Sequence, residues 1–292
     1  MRSGIVNVLK PPGMTSHDVV SFVRRTYGLK KVGHAGTLDP AAAGVLPVFL
    51  GSATRLIEFT ADADKAYRAE LTFGYATDSG DDSGEVIAAR EGFVTPPADE
   101  VAAVLASFAG ESEQIPPMHS AIKIGGRKLY ELARAGIAVE RQPRSVTISA
   151  IGLVRVAAPT ILFDVECSKG TYIRTLCADI GARIGCPAVM SFLVRTRVGD
   201  FTLAEAKSLE EIAADPDAAL QPGDAAVRRL ARVDLDDDEA ARFTHGQSIP
   251  LASPATDGLL AVYRRTGDFL GIARHSPQAP LLVPVKVIGQ TP

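Results

Sequence analysis

The sequence predicts an α+β protein with a mixed, mainly antiparallel sheet, flanking helices and a small β-rich barrel at its C-terminal end. The chain has 292 residues, so one large domain and one small domain are expected. Strand-like and helix-like segments mix without the regular alternation of a doubly wound sheet. A Gln-Pro-Gly turn and a following acidic stretch place a boundary near residue 230, which predicts domains at 1–230 and 231–292.

The first 50 residues predict a strand, a helix and a second strand. The apolar run at residues 5–9 indicates the first strand. Thr15 can cap the helix that follows, because Asp18 lies three residues later as in a capping box, and Gly28 marks the end of that helix. A glycine-rich stretch comes next, and residues 45–50 indicate a buried strand.

The rest of the chain continues the mixture of strands and helices. Residues 65–77 alternate between apolar and polar, which predicts one long strand, and a polar loop follows at 78–85. The further predictions are a helix at 96–108, a short strand ending at 124 before a Gly-Gly turn, a helix ending at 136, strands at 145–156 and 160–167, a helix at 171–185, a strand at 190–198, a helix at 203–215, a short helix ending at 246, and strands at 258–264, 269–274 and 281–288.

Composition favours a globular cytoplasmic protein without a metal or other cofactor. Hydrophobic residues make up 46% and charged residues 22% of the chain, close to the average for globular domains. No uncharged stretch is long enough to cross a bilayer, and the first residues do not resemble a signal peptide. The three cysteines lack CxxC spacing, so neither a disulfide framework nor a zinc site is expected.

Charge is distributed unevenly along the chain. The formal net charge of −3 argues against a protein that coats nucleic acid through bulk electrostatics. Residues 123–144 nevertheless form a locally basic segment, in which Glu131 and Glu140 are outnumbered by Lys123, Arg127, Lys128, Arg134, Arg141 and Arg144. This segment is either a solvated helix face or a contact for RNA phosphates.

A single carboxylate, Asp39, lies in the stretch VGHAGTLDPAAAGVLPV at residues 32–48. Because Pro40 follows it, Asp39 has the arrangement of a helix N-cap or a turn residue. The three glycines of the stretch could also cradle a phosphate, but neither GK[ST] nor GxGxxG is present. His34 in the same stretch is either a turn residue or part of a site.

A second candidate segment, CSKGTYIRTLCADIG, covers residues 167–181. Tyr172 and Arg174 open its helix, just after a strand ends. An arginine can hold a carboxylate ionised and oriented through two parallel hydrogen bonds, and an ordinary structural ion pair is the alternative. Tyr67, in the long predicted strand, is either a core residue or a flat surface on which a base can stack.

Five ordered motifs between residues 7 and 181 resemble the TruB-type bacterial tRNA pseudouridine synthases. They are NVLKPPGMTSHDVV (7–20), GHAGTLDPAAAGVLPV (33–48), KAYRAELTFGYATDSGDDSGEV (65–86), PPMHSAIK (116–123) and SKGTYIRTLCADIG (168–181). The family converts uridine 55 in the T-loop of tRNA to pseudouridine. The resemblance implies that Asp39 is the catalytic aspartate, that Arg174 is its ion-pair partner and that Tyr67 stacks on the target uracil.

The same resemblance assigns further residues and partners. On a tRNA substrate, the excess of positive charge in the basic segment predicts RNA-backbone contacts from Lys123, Arg127, Lys128 and Arg134. The resemblance itself implies substrate-binding roles for His34, Tyr172, Leu193 and Lys10. It also implies a C-terminal PUA-like RNA-binding domain, a monomer without a protein partner, and the tRNA T-arm as the RNA bound.

The chain departs from the family pattern at two places. His119 stands where the Pro-Pro-Met motif is commonly followed by tyrosine, and Val194 replaces an arginine that often follows the leucine. Neither change touches the aspartate motif. A non-catalytic RNA-binding or tRNA-folding module is the alternative function, since it would use the same basic segment and PUA-like tail.

Overall fold

A computed structural model describes residues 2–120, 122–137, 139–251, 257–276 and 279–288, apart from the side chains of residues 134, 276 and 279. The chain divides into two compact units. The first unit combines Met1–Ala63 with Arg197–Pro292, and the second is Asp64–Thr196.

The helices of the described residues are all short. They are α1 (Ser16–Tyr27), α2 (Ile57–Ala61), α3 (Ala98–Ala106), α4 (Leu129–Arg134), α5 (Ile173–Ile184), α6 (Leu209–Ala214), α7 (Pro216–Ala219) and α8 (Asp237–Thr244), with 3-10 helices at Gly51–Leu56, Leu203–Glu205 and Gly223–Val227. Within the ranges that the structure describes, no helix has the length and apolar character needed to cross a membrane.

The strands alternate with these helices along the chain. They are β1 (Gly4–Lys10), β2 (Val32–His34), β3 (Ala43–Leu50), β4 (Lys65–Phe73), β5 (Tyr75–Thr77), β6 (Val86–Ala89), β7 (Gly110–Gln114), β8 (Lys123–Ile124), β9 (Arg127–Lys128), β10 (Arg144–Ala157), β11 (Thr160–Cys167), β12 (Ala188–Val198), β13 (Phe201–Thr202), β14 (Ala231–Leu235), β15 (Ile249–Pro250), β16 (Gly258–Arg264), β17 (Phe269–Ser276) and β18 (Ala279–Val287).

In the first unit, β3 is the strand around which the N-terminal part is built. Both β1 and β2 pair with β3 in antiparallel register, so β2 occupies the edge opposite to β1. The pairing places Lys10 opposite Gly44 and His34 opposite Val48. The apolar face of α1 covers this sheet through Val19, Val20 and Val23. The strands predicted at residues 5–9 and 45–50 are confirmed.

Helix α1 begins and ends where its sequence predicts. The Thr15 hydroxyl accepts a hydrogen bond from the Asp18 backbone N–H, and the Asp18 carboxylate accepts one from the Thr15 backbone N–H. The Thr15 hydroxyl also donates to the Asp18 carboxylate, and this bond, together with the one from the Thr15 N–H, holds the pKa of the Asp18 carboxyl below its ordinary value. Gly28 ends the helix with φ 64°, a left-handed conformation that glycine adopts without a Cβ clash. The predicted capping box is confirmed.

The C-terminal part of the first unit is a five-stranded sheet that begins at Ala231. The strand order is β14-β16-β17-β18-β15, in which only β14 and β16 are parallel. Helix α8 contacts all five strands, so the sheet curls around it. Ala261, Ile272 and Ile288 of this region share one apolar core with β1 and β3. The predicted domain division at residue 230 stays a prediction.

The second unit contains a sheet of strand order β12-β4-β11-β10-β7. Its described pairs β4–β11, β10–β11 and β7–β10 are antiparallel. Helix α3 packs on β10 and on α5, and α5 packs on β4. On the other face, Arg68 of β4 forms two hydrogen bonds with Asp164 of β11. Both units mix helices with mainly antiparallel sheets, which confirms the predicted α+β class.

Two predicted secondary-structure elements are wrong, and in both cases a hydrogen bond to a distant part of the backbone is the reason. The strand predicted at residues 65–77 breaks at Gly74, because the Gly74 N–H bonds to the Pro187 carbonyl and the chain leaves β11 to form β5 with β6. The helix predicted at residues 203–215 is interrupted, because the backbone of Lys207 bonds to β1. The strands that were not predicted are β2, β6, β7, β9, β13, β14 and β15.

The capping box yields a stability prediction. Thr15→Ala removes the hydroxyl that caps α1, and we expect it to lower the free energy of unfolding by about 1 kcal/mol in urea titrations. Thr26→Ala is the control, because the Thr26 hydroxyl bonds to a carbonyl one turn earlier in the same helix, at Phe22. An alanine suits a helix interior at least as well, so Thr26→Ala should change stability little. Equal losses in both variants would contradict the capping role.

Candidate active site

Leu38, the residue before Asp39, is held by Ser16, the first residue of α1. The Ser16 hydroxyl donates to the Leu38 carbonyl at 3.0 Å, and the Leu38 N–H donates back to the same hydroxyl oxygen at 2.9 Å. Both side chains are buried. Since the capping box sets where α1 begins, it also sets the position of Ser16 and, through it, of the chain leading to Asp39.

The residues after Asp39 are fixed by a buried lysine. Lys10 is 0% exposed, and its ammonium donates to the carbonyls of Pro11, Pro40 and Ala42 at 2.9, 3.2 and 2.6 Å. Three carbonyls match the three donors of an ammonium group. Lys10 therefore ties the end of β1 to the turn that contains Asp39, while its predicted substrate-binding role stays a prediction.

Asp39 lies in a turn rather than at the start of a helix. The Ala42 N–H donates to the Asp39 carbonyl at 3.1 Å, and β3 begins directly afterwards at Ala43. The helix-cap interpretation of Asp39 is therefore wrong, whereas the turn interpretation is confirmed. Both Asp39 and His34, which ends β2, are half-buried.

Arg174 lies in the first turn of α5 and is only 6% exposed. Its guanidinium donates to the carbonyls of Ser79 and His119 at 2.8 and 2.7 Å. The same guanidinium lies 3.8 Å from the Asp81 carboxylate. Arg174 thus links α5 to two loops that are distant in sequence.

Asp81 is an acidic partner of Arg174 that sequence reasoning missed. Burial works to raise the pKa of Asp81, but hydrogen bonds from Ser83 and Ser79 and the charge of Arg174 outweigh it, so the pKa is below its ordinary value. The loop is tight, because a Cβ on Gly84 would collide with the side chains of Asp78 and Ser79. Two signals in the sequence covered Asp81: the Asp-Gly-Ser composition of residues 78–85 and the family motif at residues 65–86.

Tyr67 contacts a second buried arginine. The Tyr67 side chain lies on the inward face of β4, is 8% exposed and forms a hydrogen bond with Arg195 of β12. Arg195 is 1% exposed. Burial lowers the pKa of this guanidinium, and the Tyr67 hydroxyl opposes that change. Leu193, two residues before Arg195 on β12, is also buried.

Tyr172 is held through its backbone. Its N–H donates to the Gln114 side-chain oxygen at 2.9 Å, and its carbonyl accepts from the Gln114 amide nitrogen at 3.4 Å. Tyr172 is the N-cap residue of α5, so this buried glutamine at the end of β7 sets where the helix begins. Sequence reasoning missed Gln114, because β7 was not predicted.

The basic segment contains a β-hairpin and a short helix. Strands β8 and β9 pair across Gly125 and Gly126, with Lys123 and Arg127 exposed. The Lys128 ammonium bonds to the Tyr130 hydroxyl at 3.2 Å, and this bond raises the pKa of Lys128.

Helix α4 anchors the segment, since its Leu129 and Leu132 are buried. The side chain of Arg134, predicted to contact RNA, lies outside the described residues.

The predicted site residues fall into both units. Lys10, His34 and Asp39 belong to the first unit. The second unit contains Tyr67, Tyr172, Arg174 and Leu193. Each group has its own supporting contacts, and the pairing of Asp39 with Arg174 stays a prediction. Among the described residues, no group of three or more His, Cys, Asp or Glu side chains is arranged to hold a metal ion.

Family models match nearly the whole chain. The model for the "TruB family pseudouridylate synthase (N terminal domain)" matches residues 24–173. The chain belongs to the TruB family of pseudouridylate synthases. It is therefore an isomerase. Two C-terminal models of TruB proteins match residues 174–231 and 231–288.

Curated relatives support the TruB assignment along the full length. The chain is 40% identical to the tRNA pseudouridine synthase B of Bacillus pumilus over 99% of each protein. It is 46% identical to the protein of that name from Caldanaerobacter subterraneus, covering 92% of this chain and 94% of the relative. The Symbiobacterium thermophilum protein of that name is 54% identical, over 83% of this chain and 82% of its own.

Solved structures support the TruB-type fold. A chain in the crystal structure of a Cbf5-Nop10-Gar1 complex superposes with a TM-score of 0.76 at 28% identity, covering 98% of this chain and 85% of that chain. A chain of an H/ACA RNP bound to a substrate RNA containing 2'-deoxyuridine gives a TM-score of 0.75 at 26% identity, with 98% and 85% covered. The α+β fold with a C-terminal β-rich region is therefore confirmed.

The environment of Asp81 predicts a pH-dependent loss of stability. Asp81→Asn removes the charge that Ser79, Ser83 and Arg174 stabilise, and we expect it to lower the free energy of unfolding by about 1–3 kcal/mol at neutral pH. Because the folded-state pKa lies below the ordinary value of 3.8, this contribution is present above pH 3.8 and is lost as the pH falls through the folded-state pKa. Urea unfolding at several pH values measures the difference.

Asp82→Asn is the matched control for Asp81→Asn. Asp82 is the next residue, is exposed, and accepts a hydrogen bond from the Tyr75 hydroxyl. We expect a much smaller loss from this variant, since an exposed carboxylate contributes little. A gap between wild type and Asp81→Asn that stays constant down to pH 3 would contradict the role of the charge.

Proposed function

We propose that this TruB-family protein isomerises uridine to pseudouridine in tRNA, with Asp39 as the catalytic carboxylate. The observation that carries the proposal is the match to TruB models from residue 24 to residue 288, together with relatives named tRNA pseudouridine synthase B. The motif that contains Asp39 falls within the matched residues. The braced turn around Asp39 supports the assignment, because a catalytic group must be held in a defined position.

The reaction explains why one carboxylate suffices. The bond between C1′ and N1 breaks, the uracil turns, a bond forms between C1′ and C5, the proton on C5 leaves to solvent, and N1 takes up one proton, so that the product is an isomer of the substrate. A carboxylate can stabilise positive charge at C1′ as in glycoside cleavage, or it can remove a sugar proton to form a glycal. Since the uracil is retained, no water has to be activated and no second carboxylate is needed for that purpose.

Arg174 is proposed as the ion-pair partner of Asp39. An arginine remains charged at any physiological pH and can orient a carboxylate through two parallel hydrogen bonds. The contacts of Arg174 with Ser79 and His119 support this role, because they restrict the guanidinium to one orientation.

The remaining site residues are proposed to receive the nucleotide. The target base must leave its stack, at a cost of a few kcal/mol, and stacking on the ring of Tyr67 would return on the order of 1–3 kcal/mol. His34, Tyr172 and Leu193 are proposed to line the same nucleotide site.

Within tRNA, the proposed target is uridine 55 of the T-loop, and the proposed bound RNA is the T-arm stem-loop. The exposed cations of the basic hairpin, Lys123 and Arg127, suit contacts to RNA phosphates. The five-stranded sheet after residue 231 is proposed as a PUA-like RNA-binding module. We propose that the protein acts as a monomer in the cytoplasm, without a protein partner.

A non-catalytic tRNA-folding role is the alternative function. It would use the basic hairpin and the C-terminal sheet but would not need Asp39. Both roles can coexist, since a protein that opens a tRNA loop to reach a base can also help that RNA refold.

Asp39→Asn tests the catalytic assignment. The variant keeps the size and the backbone hydrogen bond of the turn but loses the carboxylate charge. We expect it to abolish tritium release from C5-labelled uridine in tRNA and to leave the Kd for tRNA nearly unchanged. Asp82→Asn serves as the activity control, since its carboxylate is exposed in the polar loop. Full activity of Asp39→Asn would overturn the assignment, and wild-type binding without tritium release would favour the tRNA-folding role.

Neutralising Lys123 and Arg127 to Gln tests the RNA contact of the basic hairpin. We expect weaker tRNA binding and a slope of log K against log salt that falls by about one for each phosphate that is no longer neutralised. Arg68→Gln is the control, because Arg68 is exposed but bound to Asp164. A salt slope that matches wild type would remove the hairpin from the RNA interface.

A further inference from the structure

Helix α5 begins in a different way from three other helices of the chain. In α1, α6 and α8 the N-cap residue is a threonine, a serine or an aspartate, and its N–H donates to an acidic side chain three residues later. Each of those helices therefore sets its own starting point. The N-cap residue of α5 is Tyr172, and its N–H donates instead to Gln114 of β7, which lies 58 residues earlier.

A tyrosine at this position gives up local stabilisation of the helix start. Serine, threonine and aspartate cap a helix through their side-chain oxygens, whereas the Tyr172 side chain makes no capping bond. The Tyr172 side chain is also only half-buried, so packing in the core does not account for it. The choice of tyrosine favours a task for its ring, and it leaves the start of α5 to be fixed by another residue.

Gln114 fixes that start through both backbone groups of Tyr172. The Gln114 side-chain oxygen accepts from the Tyr172 N–H at 2.9 Å, and the Gln114 amide nitrogen donates to the Tyr172 carbonyl at 3.4 Å. Two bonds from one planar amide restrict both the position and the rotation of this backbone. Because the Cα–Cβ bond of Tyr172 leaves from the same backbone, the two bonds also restrict the direction in which the ring extends.

Gln114 can hold Tyr172 because Gln114 is itself held. It is 5% exposed and pairs with Arg144 of β10 at the end of β7. The chain that enters α5 is tied to the same sheet, since the Ser168 N–H donates to the Thr147 carbonyl at 2.8 Å and the Thr147 N–H donates to the Ser168 hydroxyl at 2.9 Å. The approach to α5 is therefore anchored to β10, and its N-cap residue is anchored to β7.

We infer that Gln114 is a positioning residue for the isomerisation, which acts through the backbone of Tyr172 to hold the tyrosine ring in the orientation that meets the nucleotide. This inference rests on the proposed function. It deepens that function by explaining how a residue without a capping side chain keeps a fixed place at the start of α5. A ring that is oriented before RNA binds loses less conformational entropy when the nucleotide arrives.

Gln114→Met tests the inference, since it keeps the length of the side chain but makes neither hydrogen bond. The readouts are the single-turnover rate constant of pseudouridine formation in a T-arm RNA at saturating enzyme, and the Kd for that RNA. We expect the rate constant to fall on the order of tenfold, the effect of losing one to two hydrogen bonds, while the Kd stays within about twofold of wild type. At saturating enzyme this rate constant does not depend on the fraction of enzyme that is folded, so it separates positioning from stability.

Gln114→Glu is the conservative variant. It keeps an acceptor for the Tyr172 N–H but has no donor for the Tyr172 carbonyl, so we expect a rate constant between those of wild type and Gln114→Met. Gln221→Glu is the matched control, because Gln221 is a half-buried glutamine of the first unit that bonds to Arg228. Its rate constant should equal that of wild type. Circular dichroism at the assay temperature checks that each variant is folded.

A double-mutant cycle shows whether Gln114 acts through the tyrosine ring. Once Tyr172→Ala has removed the ring, Gln114→Met should slow the reaction by no more than about twofold further. Gln114→Glu replaces Gln114→Met in the cycle if the methionine variant does not fold.

The outcomes distinguish this inference from the proposed function. Rate losses that multiply in the double variant would overturn the role through the Tyr172 ring while leaving the isomerase activity intact. A rate constant that Gln114→Met leaves unchanged would do the same, because it would show that Gln114 serves only the stability of α5. Wild-type protein that converts no uridine in the T-arm RNA would overturn the proposed function, and the positioning role with it.

Discussion

The hydrogen bonds of the buried Lys10 ammonium are the constraint on which the Asp39 turn depends. An ammonium group away from water is tolerated only when its donors are satisfied, and here three backbone carbonyls satisfy them. Two of those carbonyls, at Pro40 and Ala42, follow Asp39 directly. The antiparallel register that places Lys10 opposite Gly44 brings the ammonium to these carbonyls.

Two buried arginines organise the second unit in the same way. Arg174 joins α5 to the carbonyls of Ser79 and His119, and Arg195 joins β12 to Tyr67. Each cation connects segments that are far apart in sequence. An apolar contact at the same place would let the two segments shift relative to each other. A hydrogen-bonded cation fixes distance and direction together. Loss of such a cation is costly because it leaves buried acceptors unpaired. These cations therefore give the residues proposed for catalysis rigid supports.

Local signals predicted the elements that are stabilised locally. The capping box of Thr15 and Asp18, with Gly28 after it, defined α1 because both ends are satisfied within a few residues. Prediction failed where a distant backbone decides the outcome. The strand break at Gly74 depends on the carbonyl of Pro187, and the interruption near Lys207 depends on β1. The same reason explains why the sequence did not predict three supporting residues, Asp81, Gln114 and Arg195, since tertiary pairing sets their partners. The candidate site residues were predicted because they lie in sequence motifs.

The basic hairpin is the surface proposed to contact RNA, although the formal net charge of the chain is −3. Its charges are concentrated in one segment, and the buried Leu129 and Leu132 anchor the helix that follows the hairpin. Lys123 and Arg127 therefore extend from an anchored segment, so less conformational entropy would be lost in the proposed contacts with phosphates. Bulk charge sets nonspecific affinity over long distances, whereas a few positioned cations select the place on the RNA. A protein that must capture one base benefits from a few positioned cations and a low bulk charge. Weak nonspecific attraction then lets it release RNA that does not fit.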